Sequence, residues 1–272
     1  MHKLGRHAMK TKLLDTLTFS EKRENLLILL KEGPRTLEEI REKLNVTSSG
    51  MIPQIRKLEE RNLVQRVGKS YSLTDLGMIV TNALFPLVKT SEFIDKYEKF
   101  LDDHDIKAIP DHLLKRIYEF ENSSLLESKI SELYEPHKEF MKFLPDSRKF
   151  LGIAPVFHHS YPTLFLKLAE SGKDVSIILT REVFEKVKKE YETDLSKFIE
   201  LENAKLSVSD ENIRLASAVT NNFVSVSLFF KNGGYDSQRE LVSPDITAIK
   251  WGEELFYHFF SNSKRIKSLS KP

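Results

Sequence analysis

Apolar residues recur along this chain with a period that changes, and the changes mark its parts. The run Leu26–Leu30 lies between charged flanks and ends at Gly33-Pro34, which predicts a buried helix over Glu21–Glu32 opened by Ser20. Leu37, Ile40 and Leu44 follow at three- and four-residue spacing, with Thr36 and Glu39 forming a capping box ahead of them. Asn45-Val46-Thr47 breaks the pattern, and Ile52, Ile55 and Leu58 restart it as the inward face of another helix. Val64–Val67 and Ser70–Leu73 predict two short strands that pivot on Gly68-Lys69. Helix, turn, helix and β-ribbon predict a winged helix-turn-helix, whose second helix is shaped for a DNA major groove.

Beyond the wing, Thr74 opens a helix to about Phe85, and Pro86 punctuates it. Leu87–Asp103 continues with Ile94, Tyr97 and Leu101 on one face and Phe93 and Phe100 beside them. Such a helix is expected to pair with its copy in a homodimer; the alternative is packing on the chain's own second domain. His112–Glu121 and Leu125–Phe143, the latter interrupted by Pro136, are expected as further helices.

From Lys149 the pattern becomes β-α-β-α-β. Phe150–Val156, Val175–Leu179 and Lys205–Val208 are the strands; Tyr161–Glu170 and a helix capped by Thr180 are the crossovers. Ile213–Val219 and Phe223–Phe230 follow as a hairpin through Asn221-Asn222, the second strand alternating as if half-exposed. A final helix after Ser243-Pro244 carries Ala248, Trp251, Leu255, Phe256 and Phe259 on its core face. The whole is an α+β and α/β multidomain chain. It comprises a winged helix-turn-helix over 14–86, a helical connector or dimerisation region over 87–146, and an α/β sensor-like or assembly domain over 147–272.

Charge sharpens this division. The net charge is +2, but Met1–Thr90 carries 16 Lys/Arg against 10 Asp/Glu, and the remainder carries 26 against 30. A basic amino-terminal third on an acidic body suits a domain that meets phosphate attached to one that does not. There is no cysteine, so disulfides, thiolate nucleophiles and cysteine zinc sites are excluded. No apolar run approaches the roughly 18 residues of a membrane span, and Met1–Lys12 lacks the apolar core of a signal peptide. A cytoplasmic protein without a cofactor is expected.

The candidate DNA-contacting residues follow from the helix pattern. Thr47, Ser48 and Ser49 supply cap and first-turn hydroxyls. With Ile52, Ile55 and Leu58 inward, the opposite stripe is Gly50, Pro53, Gln54, Lys57 and Arg61. Gln54 can pair bidentately with adenine, and Lys57 and Arg61 suit phosphates. Arg66 and Lys69 sit at the wing. Pro53 leaves open which of Ser48–Pro53 reaches the groove.

In the α/β part a small-molecule site is expected at the carboxyl ends of the parallel strands. Phe157, His158, His159 and Tyr161 occupy the first such loop and Thr180 the second, where two helix N-termini would suit an anionic group. Tyr235, Asp236 and Trp251 are further candidates. His158-His159 with a distant third histidine could bind a metal, but a surface pair is the simpler reading. No Gly-x-Ser-x-Gly, phosphate-cradling Gly-Lys-Ser/Thr or His-Glu-x-x-His sequence occurs.

The order of parts resembles the archaeal methanogenesis-regulator family. An ArsR-like winged helix precedes EPHKEF (Glu135–Phe140), KFLGIAPVFHHSYP (Lys149–Pro162), SIILTREVFEKV (Ser176–Val187) and TAIKWGEELF (Thr247–Phe256). The resemblance covers nearly the whole chain from about Leu14. The carboxy-terminal half also resembles the phospholipase-D-like ligand-sensing domain of archaeal sugar-responsive regulators. That fold's catalysis needs His-x-Lys-x4-Asp, and no histidine here has lysine two residues on. The resemblance implies transcriptional control of methanogenesis or methyl-metabolism genes and supplies no effector; a homodimer on double-stranded DNA and a small-molecule effector are expected from the residues above. A protein-interaction adaptor and a phospholipase-D-like enzyme remain the alternatives.

Overall fold

The computed structural model describes residues 12–128 and 144–269, and the chain divides into two compact units between Lys89 and Thr90. The first unit holds α1 (Lys12–Thr18), α2 (Glu21–Lys31), β1 (Arg35–Thr36), α3 (Leu37–Leu44), α4 (Ser48–Glu59), β2 (Val64–Val67) and β3 (Ser70–Leu73). The three strands pair antiparallel in the order β1-β3-β2. The capping box is formed: Glu39 N–H donates to Thr36 Oγ1 at 3.3 Å, and Thr36 N–H donates to Glu39 Oε2 at 2.7 Å. Those bonds hold the Glu39 carboxyl below its ordinary range. Asn45 ends α3 in the left-handed region at φ 49°, a conformation Asn tolerates better than most residues. Ser20 stands at the N-cap of α2 but makes no side-chain cap bond.

The core of this unit corrects the expected phase of α4. Its buried residues are Met51, Ile55 and Leu58, packed with Leu26, Leu27, Leu30 and Ile40; Ile52 is only half-buried. With Ile55 and Leu58 inward in either phase, replacing Ile52 by Met51 rolls the inward face by about 30°. The helix also runs straight through Pro53, which lies in its second turn with the side chain exposed.

α5 (Asp75–Asp103) continues through Pro86, where a stop was expected, and departs from helical geometry at Tyr97. Its earlier turns pack in the first core through Leu84, and its later turns pack in the second unit through Phe93, Tyr97 and Phe100. The face expected to pair with a second copy is therefore covered by the chain itself at Tyr97, and only Ile94 of that stripe is exposed.

The second unit is built on an eight-stranded sheet. Its strands are β4 (Ser124–Glu127), β5 (Lys149–Ala154), β6 (Asp174–Thr180), β7 (Ala204–Ser209), β8 (Leu215–Thr220), β9 (Val224–Leu228), β10 (Arg239–Ser243) and β11 (Lys264–Ile266). They lie in the order β11-β7-β6-β5-β8-β9-β10-β4. β5, β6 and β7 are parallel, as expected, and the other pairings are antiparallel. Ser124–Glu127 is a strand where a helix was expected to begin; the rest of that expected helix, with Pro136 and the EPHKEF segment, lies outside the described residues. The expected His112–Glu121 helix is broken into α6 (Asp111–Leu114) and a 3₁₀ turn at Ile117–Phe120.

Two apolar layers cover the sheet. One joins α10 (Ile246–Ser261) to Phe93, Phe100, Leu113 and Phe120, with Trp251 fully buried and donating from Nε1 to Leu113 O at 2.9 Å. The other joins α7 (Tyr161–Glu170), α8 (Arg181–Glu190) and α9 (Glu192–Glu200) to β5, β6 and β7. β9 is buried on both faces, Ser225 and Ser227 included, which corrects the half-exposed reading of its alternation.

One close approach positions the wing. Thr74 Oγ1 donates to Asn62 O and accepts from Gly77 N–H at 3.0 Å, so the first turn of α5 lies on the backbone that enters β2. A Cβ at Gly77 would stand 1.9 Å from Leu63 O. Gly77→Ala is expected to destabilise the first unit by about 1–3 kcal/mol, the usual cost of overpacking. The check is a thermal melt followed by circular dichroism and by fluorescence. Because the single tryptophan, Trp251, is buried in the second unit, the dichroism transition should fall while the fluorescence transition stays.

Candidate nucleic-acid interface and ligand pocket

With Met51, Ile55 and Leu58 inward, α4 turns Ser49, Pro53, Arg56, Lys57 and Glu60 outward, all of them exposed. Arg56 is a residue the expected phase missed, and the signal for it was the burial of Met51. Thr47 is the N-cap: its Oγ1 accepts from Gly50 N–H at 3.2 Å and lies 3.2 Å from Ser49 Oγ. Its hydroxyl is thus committed first to the helix end. Ser48 is half-buried, Ser49 is exposed, and Arg61 is exposed just beyond the helix.

Gln54 is half-buried on the shoulder of α4, where its Oε1 accepts from Arg23 Nη1 at 2.7 Å. Arg23 is itself only 7% exposed and also donates from Nε to Thr16 O. A bidentate adenine contact needs that Gln54 oxygen as well as the amide nitrogen. In this structure that oxygen already accepts from a buried guanidinium, which leaves its second lone pair and the amide nitrogen for a base edge.

The wing carries its cations at the tip. Arg66 Nε donates to Gly68 O at 3.1 Å, and its guanidinium carbon lies 5.9 Å from the centre of the Tyr71 ring. Gly68 has φ 63°, which the turn between β2 and β3 requires. Val67 and Lys69 are exposed beside it.

In the second unit a pocket opens between the sheet and α7, α8 and α9. Phe157, His158 and Tyr161 line it; His159 and Thr180 do not. Thr180 sits at the N-cap of α8 without a side-chain cap bond, and His159 is exposed, stacked on His158 at 4.7 Å. His158 Nδ1 accepts from Ser160 N–H at 3.3 Å. Ile177, Leu179, Val183, Val187, Leu195 and Phe198 complete most of the wall, and no lysine or arginine lines it. The acidic residue Asp194 does, its Oδ2 accepting from Thr163 Oγ1 at 2.8 Å.

Behind Tyr161 lies a buried acidic group. Burial pushes the Glu240 carboxyl up to about 7, against an opposing hydrogen bond from Ser225. Burial, and then the Glu240 charge, pushes the Tyr161 phenol up to about 12, so the phenol stays a neutral donor at neutral pH. Burial, and then the neighbouring Tyr161, raises the Tyr235 phenol as well. The other candidates are structural. Asp236 accepts from His104 Nε2 at 3.0 Å and Arg239 Nε at 2.7 Å. Burial opposes its charge, but hydrogen bonds from Gln238 N–H and Arg239 keep the carboxyl below its ordinary range. Among the described residues no group of three metal-ligating side chains forms.

These features define a class: a winged helix-turn-helix unit followed by an α/β unit with an apolar pocket. Within it, the chain belongs to the methanogenesis-regulator family. Residues 11–92 match the model of the methanogenesis regulatory protein FilR1 N-terminal domain, and residues 133–262 that of the FilR1 middle domain. Methanogenesis regulatory protein FilR1 of Methanothrix harundinacea (strain 6Ac) is 24% identical over 253 residues, which cover 91% of this chain and 56% of that protein. The chain thus spans little more than half of that relative's length. Among solved structures, TrmBL2, an archaeal chromatin protein, is 14% identical with a TM-score of 0.43, over 90% of this chain and 92% of that one. Quinone-bound YodB from B. subtilis is 24% identical with a TM-score of 0.27, over 31% of this chain and 93% of that one.

The Glu240 carboxyl gives this unit a pH dependence of definite sign. Its folded value of about 7 lies above the ordinary 4.5, so the folded chain holds the proton longer than the unfolded chain. The resulting stability is present in full below the ordinary carboxyl range and is lost as pH rises through about 7, amounting at most to about 3 kcal/mol. Glu240→Gln should therefore raise the melting temperature at pH 8 and change it far less at pH 5. Equal shifts at both pH values would contradict the assignment.

Proposed function

We propose that this protein is a sequence-specific double-stranded-DNA-binding transcriptional regulator of methanogenesis or methyl-metabolism genes. It acts as a homodimer whose α/β unit takes a small-molecule effector, in the manner its phospholipase-D-like resemblance implies. It performs no catalysis of its own. The observation that carries the reading is the outward face of α4, where Ser49, Arg56 and Lys57 stand exposed on a helix locked by its opposite side. Membership of the methanogenesis-regulator family supports it. Arg56, Lys57, Arg61, Arg66 and Lys69 supply phosphate contacts, and Thr47, Ser48, Ser49 and the Gln54 amide nitrogen meet the groove.

Two recognition helices reach successive half-sites only in a dimer. The stripe for that contact is on the early turns of α5, where Leu76 is 52% and Ile79 66% exposed and Ala83 follows one turn on. Leu14 and Phe19, at 53% and 77%, add exposed apolar surface to the same unit. A second copy, meeting the same stripe across a two-fold axis, buries it. Ile79→Glu should shift the sedimenting species from dimer to monomer and weaken operator binding at least tenfold. A dimer of unchanged stability would move the interface elsewhere.

DNA binding is tested by fluorescence anisotropy with DNA from upstream of the protein's own gene and with scrambled DNA, at several salt concentrations. Arg56→Ala and Lys57→Ala should each weaken binding to both DNAs alike and lower the slope of log affinity against log salt by about 0.9. Binding that ignores salt and both substitutions would favour a winged helix used for protein contacts.

A further inference from the structure

We propose that the pocket beneath α7, α8 and α9 is a site for a compact, apolar molecule without negative charge, carrying one hydrogen-bond donor that meets Asp194. This deepens the sensor reading of the α/β unit and rests on it. The helix N-termini near the strand ends pointed to an anion, but the lining points away from one. Of the residues that wall the pocket, Asp194 is the only carboxylic side chain and none is a lysine or arginine, so no ammonium or guanidinium faces the interior to offset an anion's charge there. Lys186 lies with Nζ 4.3 Å from the centre of the Phe157 ring, and Arg181 is engaged by Asp210 at 2.9 Å. Placing a carboxylate or phosphate against Asp194 in an apolar enclosure would cost both desolvation and like-charge repulsion.

The shape of the wall favours a ring or a branched aliphatic body. Phe157, Phe165 and Phe198 bring aromatic faces, and Val183, Val187 and Leu195 bring branched side chains from two helices. The polar groups are few and local. Asp194 lies on the first turn of α9, and among the described residues Thr163 alone donates to it, at Oδ2. Its second oxygen can then accept from a hydroxyl or amide of the ligand. A largely apolar pocket with one or two convergent polar groups is the usual composition of a small-molecule site.

The test uses the full chain, methyl-labelled at Ile, Leu and Val, titrated with a matched pair of probes: cyclohexylmethanol and cyclohexanecarboxylate. The alcohol should give saturable shifts at the Val183, Val187 and Leu195 methyls, and the carboxylate should bind at least tenfold more weakly. Val187→Phe, which fills the pocket, should abolish the shifts without unfolding the chain. Asp194→Asn should narrow the gap between the two probes by removing the repulsion. Tighter binding of the carboxylate, or no shift at these methyls with either probe, would overturn the proposal. DNA affinity is measured in parallel, with and without the alcohol. Probe binding that leaves DNA affinity unchanged keeps the pocket and removes the sensing role. DNA binding without any methyl shift keeps the DNA-binding reading and overturns the pocket.

Discussion

The docking of α4 through Met51, Ile55 and Leu58 is the constraint on which the proposed function depends. A helix can present only what its buried side leaves over. Choosing Met51 rather than Ile52 as the first inward residue, with Ile55 and Leu58 kept, turns every other side chain by about 30°. That rotation brings Arg56 out, sends Gln54 to the shoulder, and leaves Lys57 exposed under either phase. Arg23 then holds the choice in place. Its buried guanidinium is satisfied by Gln54 and by Thr16 O, and turning the helix back would strip a charged donor of its partner inside the protein. Packing and charge satisfaction agree on one orientation, so the outward face is rigid before any ligand arrives. Rigid presentation matters because contacts to phosphate fix register while contacts to base edges specify.

The second unit shows the same logic on a sheet. Alternation along a strand decides which side chain meets which layer, and here both layers are closed. β5, β6 and β7 send Phe150, Val175, Ile177, Leu179 and Leu206 toward α7, α8 and α9. β9 sends Val224, Val226 and Leu228 toward α10 and its Trp251. The opposite side of β9 carries Ser225 and Ser227, with Glu240 on the neighbouring strand, and it is buried as well. A buried carboxyl there is costly when charged, which is why it holds its proton to about pH 7. The apolar pocket and the polar strand face thus lie on the same sheet with Tyr161 belonging to both, lining the one and feeling the charge of the other.

Much of this was legible in the sequence where periodicity was long or chemistry was local. The capping box needs only Thr36 and Glu39, and the parallel strands announce themselves by continuous apolar runs. The core face of α10 followed from its spacing. What escaped was decided by contacts distant in sequence. Met51 and Ile52 are equally apolar neighbours, and only the shape of the α2 and α3 surfaces chooses between them. Ser124–Glu127 has helical neighbours on paper but finds an unfilled edge at β10, so pairing overrides propensity. Pro86 reads as a stop because it lacks an N–H, yet one missing bond does not outweigh the packing of α5 on both sides of it. For the pocket, the loop residues Phe157, His158 and Tyr161 were readable from the strand ends; the wall from α8 and α9 was not. Those helices looked like plain core layers, and a void between core side chains leaves no mark on hydrophobic spacing.

A pocket of this kind sets limits on how it could regulate. An effector shifts an equilibrium only by the difference in its affinity for two states, so a ligand held by apolar contact must find the pocket open in one state and tighter in the other. The walls that can change are the helices rather than the strands, because β5, β6 and β7 are bonded to their neighbours along their length. α8 and α9 are short, amphipathic and joined at Tyr191, whose ring packs 5.9 Å from that of Phe157 at the pocket. Filling the space between Val187 and Leu195 would therefore act first on the angle between those two helices. That change would be read within the second unit itself, at the Val187 and Leu195 methyls that wall the pocket.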